Sequence, residues 1–260
     1  MLLPDGFAWT SAPWGPVLTS TALSPVFHHF FTTRQLRFRG GEDGLRDWER
    51  VAGEVGVHPD LLLRPKQVHG TSVMIKRRGE EAAGRGTERP RADIILTDDP
   101  TVAVAVQVAD CVPVLIADRR TGAVAAVHAG WRGTARRVVQ VAVKALGEAV
   151  RSRPSDLAAA LGPAIGPCCY EVGSELVDVF VAAGHPPADR NRWFVRSEDG
   201  KVRLDVPLAN RDQLLAAGLA LDAIHVLGLC TASHPELFYS YRREGPGTGR
   251  IVGVIKARGE

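Results

Sequence analysis

Short apolar runs alternate with polar turns through the middle of the chain. TSVMIK (71–76), ADIILT (92–97), TVAVAVQV (101–108), VPVLIAD (112–118) and GAVAAVH (122–128) are rich in β-branched and small residues, and they predict strands. DRRTG (118–122) separates the last two and reads as a hairpin turn. The period then changes. Apolar side chains at 135, 138, 139, 142, 145, 146 and 149 have helical spacing and predict a helix over 134–150. GLRDWERVAGEVG (44–56) predicts an earlier helix, and Glu171 to Ala183 another. Asp205 is the expected N-cap of a further helix, with Pro207 in its first turn and Gly218 beyond its end. AIHVLG (223–228) and RIVGVIK (250–256) read as late strands. Two polar stretches without apolar period, RRGEEAAGRGTERPR (77–91) and AGHPPADRNR (183–192), read as loose loops. Strands gather mid-chain and helices sit mostly toward its two ends. The pattern predicts one mixed α+β domain over residues 1–260.

Composition narrows the function classes. The 260 residues can bury a substantial core, and 45% hydrophobic with 23% charged residues is ordinary for a globular protein. A net charge of +3, with acids and bases interspersed, gives no reason to expect nucleic acid or a membrane surface as partner. It leaves room for a small anion, because one or two arginines can hold one. The first residues, MLLPDGFAWTSAPWG, lack a basic region followed by a long apolar one, and no stretch approaches about 20 apolar residues. A cytoplasmic location is expected. The four cysteines, Cys111, Cys168, Cys169 and Cys230, are then expected to be free, catalytic or metal-bound rather than disulfide-linked.

Three residues have chemistry suited to one site. His69 stands in KQVHG, Cys111 in VADCVPV and His128 at the end of GAVAAVH, each at the edge of an expected strand. Together they would give a metal ion two imidazoles and a thiolate, leaving a fourth position open. Such donors suit Zn²⁺ or copper better than Mg²⁺ or Ca²⁺. The same residues admit a metal-free reading. Cys111 is then a nucleophile, His128 its base, and Asp110 or Gln67 the group that orients the pair. The bland alternative is two half-buried histidines and a core cysteine.

The joint AGWRG (129–133) before the 134–150 helix has its own physical use. Gly130 and Gly133 permit close backbone approach, and Arg132 is a planar double donor for phosphate or carboxylate. The helix start would add free N–H groups and a positive dipole end. Trp131 either stacks on a flat ring or serves as a core aromatic. In ELFYSYRREGPGTGR (236–250), Arg242, Arg243 and Arg250 offer further cations, or simply form a solvated basic turn. GPAIGPCCYEVG (162–173) is a Gly/Pro-rich bend whose cysteines either approach a ligand or are buried in a structural turn. The His-x-Glu and Pro-Cys-x-x-Cys pattern of zinc nucleobase deaminases is absent, as are a Walker A loop and a dinucleotide fingerprint.

The ordered set KQVHG, ADCVPVLIAD, AAVHAGWRG, LGPAIGPCCYEVG and LFYSYRREGPGTGR resembles the YfiH family, long labelled laccase-domain or polyphenol oxidase proteins. The resemblance runs from about residue 60 to residue 250. It implies an α+β fold of stacked mixed sheets between helices, related to cysteine hydrolases. It also implies a metal site on His69, Cys111 and His128, with Zn²⁺ expected and Cu²⁺ as the second choice. The implied reaction is phosphorolysis of adenosine or inosine, giving free base and ribose 1-phosphate, so the partners are a purine nucleoside and phosphate. Methylthioadenosine cleavage, adenosine deamination and correction of peptidoglycan precursors are also ascribed to the family. Cys111, His128, His69 and Arg132 are the expected catalytic residues. Gln67, Asp110, Trp131, Arg242 and Arg34 are expected around the substrate. Arg34 lies in FTTRQLRFRGGEDGLRD, which stretches the family's Thr-Arg-x-Gly-Gly segment and lacks the Ser-Leu-Asn-Leu stretch after it.

Overall fold

The computed structural model describes residues 3–39, 42–80, 88–196 and 200–258. Two six-stranded sheets form its centre. One has the spatial order Phe7–Ala12, Gly15–Ser20, His29–Phe31, Ile251–Lys256, Ala103–Val108, Leu62–Leu63. The other runs Ile224–Val226, Leu157–Leu161, Val112–Asp118, Val124–Ala129, Ile94–Thr97, Val73–Lys76. A small third sheet joins Glu171–Val172, Val202–Leu204 and Phe194–Arg196.

The alternation of side chains along each strand explains the layering. Leu115 and Ala117 point from the second sheet to Val104, Val106 and Phe31 of the first. Val112, Val114 and Ile116 point the other way, toward the helices Val138–Val150 and Val206–Ala216. On the outer face of the first sheet, Ala103, Ala105 and Val254 meet Trp48 and Val51 of the helix Glu42–Val55. Helix, sheet, sheet, helix is therefore the order of layers, which is the stacked α+β arrangement expected. Both faces of the central strands are covered, so VPVLIAD is apolar throughout until Asp118 rather than alternating. Small side chains let the sheets approach. A Cβ on Gly162 would meet the Phe31 ring at 2.4 Å.

The strand expectations hold to within two residues at each end. Four helical details differ. The segment expected as one helix over 134–150 is two, Trp131–Ala135 and Val138–Val150. Arg137 breaks them with φ 59, and its guanidinium donates to the carbonyls of Ala183 and Gly184. These helices also lie mid-chain, not at an end. Glu171–Val172 is a strand, and the helix after it covers only Glu175–Ala182. Part of the expected loop 183–192 is the helix Pro187–Trp193, started by a proline at its first turn and anchored by buried Trp193. Asp205 caps its helix as expected, accepting from the Leu208 N–H at 2.9 Å. In the loop expected over 77–91, residues 81–87 lie outside the described residues. Among the described residues no helix is long and apolar enough to cross a membrane.

Candidate metal centre

The hairpin Val112–Asp118/Val124–Ala129 brings two of the three candidate ligands together. Its register pairs Pro113 with His128, so Cys111 and His128 fall at the same open end. His69 arrives from the far side of the sheet. It precedes Val73–Lys76, which pairs in parallel with Ile94–Thr97, which in turn pairs with the His128 strand. His69 sits at φ 60, and Asp110, just before Cys111, at φ 87. Two non-glycine residues in left-handed conformations flank one site, which is strain held where chemistry is expected.

The ligand atoms of His69, Cys111 and His128 all lie within 4.8 Å of one another. The Cys111 Sγ is 3.9 Å from His69 Nε2, and the two imidazole rings meet edge to face with centroids 4.7 Å apart. Gly130 closes the cradle, because a Cβ there would stand 2.9 Å from the Cys111 sulfur. Asp93 lies behind the trio. It is fully buried and accepts from His128 Nδ1 at 2.7 Å and from the backbone N–H groups of His69 (2.8 Å) and Gly70 (2.6 Å). This contact fixes the tautomer of His128 and leaves its Nε2 for Cys111 or a metal. Two imidazoles and a thiolate, one imidazole buttressed by a carboxylate, fit a metal ion of borderline softness.

The electrostatics agree. Burial alone would raise the Cys111 thiol, but the His128 imidazolium and His69 bring it down to about 6. Burial alone would lower His128, but the Cys111 thiolate and Asp93 carry it up to about 9. Without a metal, thiolate and imidazolium form an ion pair at neutral pH. Burial would also raise Asp93, but the His128 contact and the N–H donors of His69 and Gly70 hold it below the usual carboxylate range.

A cavity of about 620 Å³ opens above the trio. Eight of the nine residues expected at the site line it, and Arg34 does not. Arg34 instead binds the Pro235 carbonyl, pairs with Glu244 at 3.6 Å and lies over the Tyr239 ring. Gln67 and Asp110 line the wall as braces. The Gln67 amide exchanges two hydrogen bonds with the Gln107 backbone (2.7 and 2.8 Å). The Asp110 carboxylate accepts from Thr231 Oγ1 and the Arg242 N–H, both at 2.6 Å. Neither orients the Cys–His pair, as the metal-free reading required; Asp93 does. The helix at Trp131 has only five residues, so the dipole argument for an anion there weakens. The cations remain. Arg132, Arg242 and Arg250 all reach the cavity, with Arg132 stacked 4.3 Å over Trp131 and Arg242 5.1 Å over Tyr170. Trp131 both packs against the core and lines the cavity. Tyr170 is kept neutral, pushed up to about 12 by burial and by the negative charge at Cys111.

Asp93 and Tyr170 were missed from the sequence. A signal for Asp93 existed: a lone acid opening the apolar run ADIILT must end up buried, and a buried carboxylate needs donors.

Two stacked sheets carry a His–Cys–His trio, a donor set able to hold a metal ion, under an arginine-lined cavity, and this defines an α+β protein with a candidate metal centre. The chain belongs to the family described as multi-copper polyphenol oxidoreductase laccase, whose model matches residues 42–258. It is 39% identical over 198 residues to purine nucleoside phosphorylase YlmD of Geobacillus stearothermophilus, covering 75% of this chain and 72% of that protein. It is 33% identical to adenosine deaminase RL5 from an unknown prokaryotic organism, covering 83% of this chain and 84% of that one. The crystal structure of the Bacillus licheniformis hypothetical protein YfiH superposes with a TM-score of 0.84 at 27% identity, over 98% of this chain and 100% of that one.

Proposed function

We propose that this chain cleaves purine nucleosides with inorganic phosphate, releasing the free base and ribose 1-phosphate. The observation that carries the reading is the joint placement of the His69–Cys111–His128 trio and three guanidiniums around one cavity of nucleoside size. The names of its relatives, phosphorylases with one deaminase among them, support it.

In this reading a phosphate oxygen bonds to the anomeric carbon as the glycosidic carbon–nitrogen bond breaks. The bonding pair leaves with the purine, which takes up a proton. Arg132, Arg242 and Arg250 hold the phosphate charge and point it at the sugar, which is a positioning effect. Trp131 and Tyr170 offer flat faces for the base, and neutral Tyr170 keeps a proton on Oη to donate. His69, Cys111 and His128 would hold the metal, and Zn²⁺ suits this donor set, with Cu²⁺ second. When bound, such an ion supplies Lewis-acid polarisation and a more acidic water. The free cysteines suit a reducing compartment, the cytoplasm.

Deamination of adenosine in the same cavity is the second reading, favoured by the RL5 likeness and the three-ligand metal geometry. The test is turnover of adenosine and inosine with and without phosphate, with products separated. Phosphate-dependent release of adenine and hypoxanthine with ribose 1-phosphate is expected. Inosine as the only product from adenosine, whether or not phosphate is present, would replace this reading with the second.

A further inference from the structure

The other three cysteines also meet. Cys168 and Cys169 lie in the bend after Gly166, and Cys230 lies at a bridge that pairs it with Ala164. Their three sulfurs are all within 4.8 Å of one another, and those of Cys168 and Cys169 are 3.6 Å apart. A tetrahedral centre with metal–sulfur bonds of about 2.3 Å places its sulfurs about 3.8 Å apart, so the cluster is near that spacing. The Ser233 hydroxyl adds a fourth polar atom, 3.4 Å from the Cys168 sulfur and 3.2 Å from that of Cys169. None of the four cysteines is in a disulfide.

We propose that Cys168, Cys169 and Cys230 form a second metal site, selective for a thiophilic d¹⁰ cation such as Zn²⁺. Simple burial does not explain the cluster, because Cys168 is exposed and Cys169 half-buried. Two guanidiniums brace the turns that carry the cluster. Arg203 donates to the Cys168 carbonyl at 3.3 Å, and Arg243 donates to the Ala232 carbonyl at 2.9 Å, which places one guanidinium beside each of the two turns. The turns themselves are fixed. The Cys169 and Tyr170 N–H groups both donate to the Gly166 carbonyl, and the Thr231 N–H donates to the Ala164 carbonyl.

Without a cation the thiols work against one another. Partial loss of hydration raises the thiol of Cys168, exposed as it is, and the neighbouring sulfurs add to it, to about 11. Cys230 would also be raised by burial, but the backbone N–H groups around it bring it below the usual thiol range. A thiolate is therefore supported at Cys230 and opposed at Cys168. A bound cation removes that repulsion and displaces the remaining protons.

The test uses the full chain, reduced and stripped of metal, with Cys111→Ser to silence the only thiolate of the first centre. Cd²⁺ is titrated in while thiolate-to-cadmium charge-transfer absorption is followed. The band should saturate at one equivalent, and protein preloaded with Zn²⁺ should need more Cd²⁺ to reach it. Adding Cys168→Ser, a change at an exposed position, should weaken Cd²⁺ binding at least about tenfold. No band at stoichiometric Cd²⁺ would overturn the proposal, and so would a band equally strong and tight in the Cys168→Ser variant. If Cys230→Ser were the variant and failed to fold, the Cys168→Ser arm would still decide.

Discussion

The two cysteine-bearing clusters use the same atom in opposite settings. Cys111 meets two imidazoles, one of them buttressed by buried Asp93, and its thiol falls to about 6. Cys168 is partly desolvated and meets two other sulfurs, and its thiol rises to about 11. The first cluster opens on a cavity lined by guanidiniums and aromatic faces, and the second lies between two turns. Charge environment, more than exposure, separates them: the more exposed thiol is the less acidic one. In the function proposed above, a mixed nitrogen and sulfur trio with an open face suits action on a substrate. An all-sulfur trio suits the holding of a cation, as in the second site proposed.

The largest break in this comparison is removal of one sulfur from each side. Cys111→Ala should lower phosphorolysis by roughly a thousandfold, the scale of losing a metal centre's charge stabilisation. Its circular dichroism and cooperative melting should persist, because Cys111 is only half-buried. Cys168→Ala should leave turnover within about twofold, as expected for an exposed side chain away from the cavity. Steady-state kinetics on both variants decides it. Equal losses would erase the distinction between an acting and a holding cluster.

Asp93→Asn tests the carboxylate that only the first cluster possesses. The amide keeps the shape but loses the charge that fixes His128 Nδ1–H and gathers the N–H groups of the 68–70 turn. Metal affinity at the first centre should fall about tenfold to a hundredfold. Chelator competition would measure this, with Cd²⁺ binding at the second cluster as the internal control. An unchanged affinity would mean that Asp93 serves the turn and not the metal ligand.

Much of this was legible in the sequence and some was not, for a consistent reason. Cys111 and His128 could be paired because a single hairpin with an obvious turn joins them. His69 was legible as a histidine at a strand edge. Asp93 was hidden because its partner lies 35 residues away on a neighbouring strand, and strand order is not written in periodicity. The break at Arg137 was hidden for a similar reason. Apolar spacing continues across it, and what holds its left-handed backbone is the distant pair of carbonyls at 183 and 184. Arg34 shows the reverse case, a motif-like arginine that does not line the cavity and instead meets Glu244 and a loop carbonyl.

Alkylation by iodoacetamide sharpens the comparison without mutation. In metal-free protein at pH 7 a thiol of pKa near 6 is about nine-tenths ionised, and one near 11 about one part in ten thousand. The less basic thiolate is intrinsically slower, by roughly two hundredfold over five pKa units. The net advantage of Cys111 over Cys168 is then about fiftyfold, in spite of poorer access. Raising the pH should leave the Cys111 rate flat, since its thiolate is already formed, while the Cys168 rate climbs about tenfold per unit toward pH 11. Peptide mapping after timed quenching gives both rates. Modification of Cys168 first at pH 7 would show that exposure outweighs charge.

The smallest effect is expected at the cavity rim, and it asks whether the first cluster's surroundings bind an anion at all. Arg132 is exposed and stacks on Trp131, so its removal should cost little stability. Arg242 and Arg250 would still face the cavity, so the phosphate site should weaken without vanishing. Arg132→Ala should raise the KM for phosphate about tenfold, the worth of one charge-assisted hydrogen bond in a half-open site. The KM for nucleoside should shift far less, because the base is offered Trp131 and Tyr170 rather than a guanidinium. Arg132→Lys separates charge from shape. It keeps the cation but loses the planar fork and the stacking, so only partial recovery is expected. Equal rises in both Michaelis constants would assign Arg132 to holding Trp131 in place, and the anion would then belong to Arg242 and Arg250 alone.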